Sequence, residues 1–570
     1  MSAAPAFTSW LDDVFAAYFR RNPVSATFIG VHTHDHLLPD LSPPAVAAAG
    51  AEIDAQLGRL AALPPEPLTP GEALDRELAE AALEIQRWEL GAAQFHTGNP
   101  AFYTGEAIFG VIGLFLRDFA PLEERAAAAA ARLSAVPAFL AQAQANLAHG
   151  PAAWAERARR ECAAAQTFLG GGVNWLIARH GLERHGLRAA ADRAAAAFAA
   201  FDGFLAHELP ATEGGYACGA AALELYIRRA HFLDLDADAI AAYARDVIAA
   251  CQAALDEGAA AFGAGGWREA LAGLADIHPS PEGYYGRYGE LWEACRATAQ
   301  AQDLLTWPDY PLRYVPQPEW ARGAAPQLYF LFYRAPAAFD HAPVVDYLVT
   351  PIEPDLPAEE RRRRLRATND SVIKLNHVVH HGAIGHHVQN WHAYRAESRF
   401  GRVAAVDCAS RIALPCGGTM AEGWACYATD LMEEAGFLTP LERYSQHQAR
   451  LRMAARALVD VELHRGRMTL AEAAALYQEA AGMAPEAARG EAVKNSMFPG
   501  MALMYLLGTD QIHGLRRAVA AREGERFSLR GFHDRLLSYG SIPVALIARA
   551  MLAEGAGAPT PCALSGPPAR

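Results

Sequence analysis

The stretch His377-Val-Val-His380-His381-Gly382-Ala-Ile384-Gly385-His386-His387-Val-Gln389, with His392 one turn further on, decides how the rest of the chain is read. Six of the 21 histidines fall within residues 377–392. Neutral imidazole is the commonest protein ligand for transition metals, and core packing does not call for such density. On a straight helix, residues four apart such as His377 and His381 share a face, about 6 Å apart along the axis. His380 and His387 also share a face, but at roughly 10 Å, long for one tetrahedral ion with nitrogen ligands near 2 Å. Gly382 and Gly385 allow a break. An interruption at Gly385 is expected to fold His387 back beside His380, with His386 its rival. The bland alternative is a solvated, histidine-rich helix face that holds no ion.

Downstream, Ala421-Glu422-Gly423-Trp424-Ala-Cys426-Tyr427 opens a helical run through Glu434. Many zinc hydrolases take two histidines from one helix and a glutamate from the next, leaving one position open for water. Glu422 follows His380 by enough chain for a helix, a connection and a return. By itself Glu-Gly-Trp is a weak signal, because an acid also suits the first turn of any helix.

Three segments together resemble the domain of unknown function 885 family. They are His380-His381-Gly-Ala-Ile384-Gly385-His386-His387-Val-Gln389, then Glu422-Gly423-Trp424-Ala425-Cys426-Tyr427, then Glu491-Ala-Val-Lys494-Asn495-Ser-Met-Phe498-Pro499-Gly500-Met501-Ala502-Leu-Met-Tyr505. The resemblance runs from near the N-terminus to about residue 552. It implies a helical, cleft-bearing fold like that of zinc metallopeptidases of the gluzincin type, with a small sheet above the metal helix whose edge pairs with an extended substrate. The family pattern His-Glu-x-x-Pro-Gly-His-His-x-Gln has His381 here in place of its glutamate and Ile384 in place of its proline. The family's Arg-Tyr pair is Lys494-Asn495, which removes a bidentate carboxylate clamp and a phenolic donor. In gluzincins the missing glutamate deprotonates the metal-bound water, so altered chemistry is expected.

Composition bounds the alternatives. Apolar residues make up 52% of the chain, enough for a substantial core, and the formal charge is −14. That balance argues against nonspecific binding to nucleic acid or anionic membrane, which needs basic surface. The eight cysteines contain no Cys-x-x-Cys pair, so a zinc ribbon or thioredoxin-like site is not expected. The N-terminus lacks the basic, apolar and small-residue succession of a signal peptide, and no uncharged apolar stretch of about 18–20 residues stands out. A cytoplasmic protein is the resulting expectation.

Periodicity predicts a mainly α chain. Residues 1–277 read as a helical region, broken at Asn99–Gly110 and at Gly170-Gly-Gly172. His32, His34 and His36 alternate in an early loop and read as surface residues. Residues 278–355 are rich in Pro and aromatics, with short strands expected at Leu312–Val315, Gln327–Tyr333 and Asp346–Val349. Residues 356–554 carry the metal-site helices, and 555–570 read as a disordered tail. Arg456, Asp460 and His464 recur every four residues on one helix face, which suits either hydrogen-bonding support behind the ligands or a surface ion-pair ladder.

The expected function is a zinc-dependent hydrolase acting on a small peptide or amide. His380, His387 and Glu422 are the expected ligands, with His386 the alternative to His387. His381 serves as general base or as an additional ligand, and Tyr505 and Lys494 as polarising groups. A non-hydrolytic metalloenzyme (lyase or oxidase) and a catalytically inactive binding protein are the alternatives.

Overall fold

Helix Pro440–His464 begins where a Thr-Pro-x-Glu sequence predicts a start. The Thr439 side chain accepts from the Glu442 N–H, and the Glu442 side chain accepts from the Thr439 N–H. Such reciprocal capping satisfies two donors that a helix end leaves orphaned. The same device opens Pro70–Glu89 and Leu470–Glu479. Helices dominate the chain, as the periodicity predicts. The computed structural model describes residues 5–64, 67–328, 338–340, 342–353, 355–403, 406–407 and 412–553.

The chain divides into two compact units. The first comprises residues 1–218, 317–342 and 406–414, and the second comprises 219–316, 343–405 and 415–570. The segments read from composition, 1–277, 278–355 and 356–554, follow local element type. The units follow packing, and the aromatic-rich stretch is divided between them.

In the first unit, Leu122–Asn146 packs along Leu187–His207, and Pro100–Ile112 packs against Ala152–Thr167. Asn99–Gly110, expected as a break, is a helix. Asn99 caps it by accepting from the Ala101 N–H, Pro100 starts it, and all 13 residues of Pro100–Ile112 are buried. A helix enclosed on every side has no polar face and so shows no amphipathic period. At Gly170-Gly-Gly172 the helix widens into a π turn over Phe168–Gly172 and continues. By length and composition Leu122–Asn146 is long and apolar enough to cross a membrane. Its buried Arg132 donates to the carbonyls of Leu37, Gly110 and Pro23.

His32 is held more firmly than a surface loop residue. Its ring stacks on Phe119 at 3.7 Å, and its two nitrogens bond Asp35 at 2.8 Å and Asp340 at 2.7 Å. Burial lowers its pKa, but the hydrogen bonds to Asp340 and Asp35 outweigh it and raise the value to about 9.

In the second unit, Ala237–Gly258 lies along Pro440–His464, and Gly418–Glu434 lies along Met504–Glu523. The latter two helices touch backbone to backbone. A Cβ on Gly423 would stand 2.5 Å from the Gly508 carbonyl carbon, and one on Gly508 would stand 2.2 Å from the Thr419 oxygen. This contact fixes the position of Glu422, the preceding residue. Strands Leu312–Pro316 and Val345–Val349 form a parallel pair with Leu312 opposite Val345. The outer two expected strands are therefore present, while most of Gln327–Tyr333 lies outside the described residues, as does the expected disordered tail. Two further two-residue pairs, Gly150–Pro151 with Ala211–Thr212 and Val406–Asp407 with Ile412–Ala413, complete the β structure among the described residues.

Two outcomes follow. Gly423→Ala overpacks the helix contact and costs about 1–3 kcal/mol, read as a lowered urea midpoint. Against His32→Gln, the wild-type chain shows a stability advantage that is full below the unfolded value of 6.5 and is lost as pH rises through about 9, because the folded state holds the proton more tightly. Thermal melts of both proteins between pH 5 and pH 10 check this.

Candidate metal centre

The histidine stretch does not form one regular helix. Asp370–Val372 leads into a π-helical segment, Ile373–Gly382, whose hydrogen bonds span five residues. The chain then breaks over Ala383–Gly385 and restarts as His386–Ala393. Gly385 is required by close approach, since a Cβ there would lie 1.9 Å from the His380 carbonyl oxygen. Two indoles hold carbonyls of the break: Trp292 Nε1–H donates to the Gly382 oxygen at 2.7 Å, and Trp424 Nε1–H to the Ile384 oxygen at 2.9 Å. The tryptophan of the Glu-Gly-Trp segment thus serves the histidine segment.

The fold-back brings His386, not His387, to His380. Ligand atoms of His380, His381 and His386 all lie within 4.8 Å of one another. The rings of His380 and His386 are perpendicular with centroids 4.9 Å apart. His387, expected as a ligand, instead stacks on Tyr310 at 4.8 Å and donates from Nε2 to the Tyr310 carbonyl at 2.7 Å. Consecutive helical residues point about 100° apart, so the first residue after the break faces His380 and the second faces the loop. Tyr310 and Trp292 also line a recess of about 310 Å³ with Trp307 and Tyr314.

Glu422 completes the cluster. Its Oε2 lies 3.4 Å from His380 Nε2 and 3.6 Å from His386 Nε2, and is buried without a hydrogen-bond partner. Ligands of a tetrahedral zinc with bonds near 2.1 Å sit roughly 3.4 Å apart, so the donor set fits an ion shared by these side chains. A buried carboxylate oxygen left unpaired is otherwise costly. His381 donates from Nδ1 to the Asn376 carbonyl at 2.7 Å. A bond of this kind to a backbone carbonyl is what orients ligating histidines.

The electrostatics suit a deprotonated donor set. Burial lowers the pKa of His380 despite the opposing pull of Glu422. Burial, reinforced by His380 and His386, holds His381 well below 6.5. For Glu422 burial acts upward, but the contacts to His380 and His386 prevail and hold it well below 4.5. Cys426, one turn after Glu422, has its thiol pushed up by burial and by Glu422, so it is a poor nucleophile.

The other expected residues form an adjoining wall. Arg456 Nε donates to Glu491 at 2.6 Å, and its guanidinium lies 4.8 Å from the ring centre of Tyr505. Its charge depresses His380 and, with Lys494, helps hold Glu491 down to about 2, although burial opposes this. Asp460 and His464 do not hydrogen-bond the ligands, contrary to expectation. Asp460 accepts from the N–H groups of Gly500, Ala502 and Leu503, and His464 donates to the Asn495 carbonyl at 2.9 Å. They anchor the chain that carries Lys494 and Tyr505. Asn495 itself is buried and bonds the Tyr477 hydroxyl.

Sequence reading missed two further features. Tyr347, on the strand Val345–Val349, bonds His377 Nδ1 at 2.6 Å and lies edge-on to His381. His377 is not part of the His380, His381 and His386 cluster. Trp292 carried no signal either, because its role depends on which carbonyl the break exposes.

The chain belongs to the family described as bacterial protein of unknown function, domain of unknown function 885, which matches residues 23–551. No curated protein matches it. Two solved structures share the fold. One, described as a putative lipoprotein of unknown function from Shewanella oneidensis, has a TM-score of 0.74 at 20% identity and covers 97% of this chain and 100% of its own. The other, described as the putative lipoprotein from Colwellia psychrerythraea, has a TM-score of 0.76 at 19% identity and covers 95% of this chain and 98% of its own. The expectation of a cytoplasmic protein does not stand, because these two structures of the same fold are each described as a putative lipoprotein.

The geometry predicts different effects for adjacent histidines. His386→Ala lowers zinc affinity by more than the roughly 10–100-fold typical of losing an outer-shell partner. His387→Ala leaves affinity within that range and lowers thermal stability. Zinc titration against a competing chelator, with melts of both variants, checks this.

Proposed function

We propose that the chain is a metal-dependent hydrolase, with zinc the expected ion, that cleaves an amide bond in a peptide or small amide. The observation that carries this reading is the Glu422 oxygen, buried without a hydrogen-bond partner and 3.4 Å and 3.6 Å from two imidazole nitrogens. The family resemblance to gluzincin peptidases supports it. His380, His386 and Glu422 would hold the ion. When bound, the ion supplies Lewis acidity, which polarises a carbonyl and makes water a nucleophile near neutral pH.

The chain's own residues do the rest. His381 stands where the family pattern has its glutamate, and its Nε2 accepts the proton from the attacking water. The Asn376 carbonyl fixes its tautomer through Nδ1–H. Accepting that proton makes an imidazolium beside two other imidazoles, which burial and those neighbours oppose, so slow turnover is expected. Tyr505 and Lys494 are the donors to charge developing on the carbonyl oxygen.

One observation favours a second reading. His381 belongs to the same cluster of ligand atoms as His380 and His386. As a ligand it would give three imidazoles and one carboxylate, a donor set suited to iron or manganese as well as zinc. A non-hydrolytic metalloenzyme would follow.

Metal analysis of His381→Ala separates the two. The hydrolase reading expects about one zinc per chain in wild type and variant alike, with amide hydrolysis lowered about 10²–10⁴-fold in the variant. Iron or manganese in the wild type, lost in the variant, selects the second reading. No retained metal after reconstitution of the wild type leaves a peptide-binding protein on an enzyme-like fold.

A further inference from the structure

The recess of about 310 Å³ beside Tyr310 has no part in the chemistry set out above. One wall is a face of the helix Tyr284–Ala301, where Gly289, Trp292, Glu293 and Arg296 follow at three- and four-residue spacing. The other wall is the chain from Trp307 to Tyr314, which contributes the rings of Trp307, Tyr310 and Tyr314. Trp292 and Trp307 meet edge to face, with 5.8 Å between ring centres and 85° between planes, so the two indoles form a corner. Three of the four rings are fixed by the histidine segment. Trp292 Nε1–H donates to the Gly382 carbonyl, the Tyr314 hydroxyl donates to the His377 carbonyl at 3.3 Å, and the Tyr310 ring stacks on His387. Trp292 and Tyr314 therefore offer an occupant ring surface rather than hydrogen bonds. The volume falls at the lower end of the range for small-molecule sites, and rings fixed beforehand spare an occupant the cost of ordering them.

The charges among the lining residues decide what kind of occupant suits these rings. Glu293 and Asp309 line the recess and are exposed, against one cation, Arg296. The Arg296 guanidinium stands over the Trp292 ring, 5.7 Å from its centre, so this indole already takes a cation on its face. The face of an aromatic ring is the negative pole of its quadrupole, and aromatic walls with an acidic rim favour a positive group that is easily stripped of water. An anion would meet two carboxylates instead. We infer that the recess binds an organic cation of side-chain size, a quaternary ammonium or a guanidinium, between Trp292, Trp307 and Tyr310. That chemistry comes either from a free small cation or from a basic side chain of a peptide. The inference goes beyond the hydrolase reading and does not rest on it, since binding here makes and breaks no bond. Gly289 supplies a control. A Cβ there would meet nothing within 4 Å, so a larger side chain at this position extends into the open space of the recess it lines.

The experiment is calorimetric titration of the full chain with choline and with its uncharged carbon isostere, which has a tert-butyl group in place of trimethylammonium. Wild type binds choline about tenfold more tightly than the isostere, the scale of a partly desolvated cation–π contact. Trp307→Leu keeps apolar bulk but removes a ring, and loses most of that preference. Glu293→Gln combined with Asp309→Asn weakens choline and leaves the isostere unchanged, whereas Arg296→Gln tightens choline by removing a like charge. Gly289→Leu fills the recess and abolishes binding of both, while its melting temperature holds or rises because glycine is a poor residue for a helix interior. No choline binding by wild type, equal binding of choline and the isostere, a preference that survives Trp307→Leu, or undiminished binding by Gly289→Leu would overturn the site. Nα-acetyl-trimethyllysine methylamide separates the two sources. Tighter binding than choline assigns the recess to a side chain of a peptide, and weaker binding assigns it to a free small cation.

Discussion

Everything at the site depends on the contact between Gly385 and the His380 carbonyl oxygen. A helix cannot bring residues six apart to one point, because the rise alone separates them by about 9 Å. The chain meets this constraint by stopping, folding back on its own last turn and starting again. Only a residue without a side chain fits against the carbonyl. The break exposes backbone acceptors, and unpaired buried acceptors are costly. Trp292 and Trp424 supply donors for them from two separate helices. The imidazole pair is therefore held by the backbone, and the backbone by indoles.

The same logic positions Glu422. Its neighbour Gly423 meets Gly508 at the closest point of two long helices, so the carboxylate sits beside a contact with no side chain to rearrange. Tyr505 stands less than one turn before Gly508 on the opposing helix. One helix contact thus sets both the Glu422 carboxylate and the phenol of the adjoining wall. Asp460 extends the effect by gathering three N–H groups just before that helix begins. The residues expected to brace the imidazoles brace the wall instead.

How far the sequence disclosed this can be judged residue by residue. The helical class, the interruption at Gly385 and the pairing of Glu422 with the histidine segment were legible, because glycine spacing, periodicity and donor chemistry are local properties. The choice between His386 and His387 was not. It turns on a rotation of about 100° at the restart, set by where the new helix is capped. Asn99–Gly110 misled because a fully enclosed helix loses its polar face, and Gly and aromatic residues then imitate a loop. Domain boundaries were hidden because the chain recrosses, which composition does not record.

That recrossing bears on how the protein is made. The two units exchange the chain five times between residue 218 and residue 415. Multidomain proteins generally fold as they are synthesised, N-terminal part first. Here the first unit lacks part of its own packing until residues 406–414 have been added, and the second draws on the chain from 219 to its far end. The parallel strands Leu312–Pro316 and Val345–Val349 likewise wait for one another across a segment assigned to the first unit. Long-range closures of this kind slow folding and leave apolar helices unpartnered in the interval. Nascent chains of this protein are thus natural clients for chaperones, and neither unit is a fragment that a gene truncation can deliver whole.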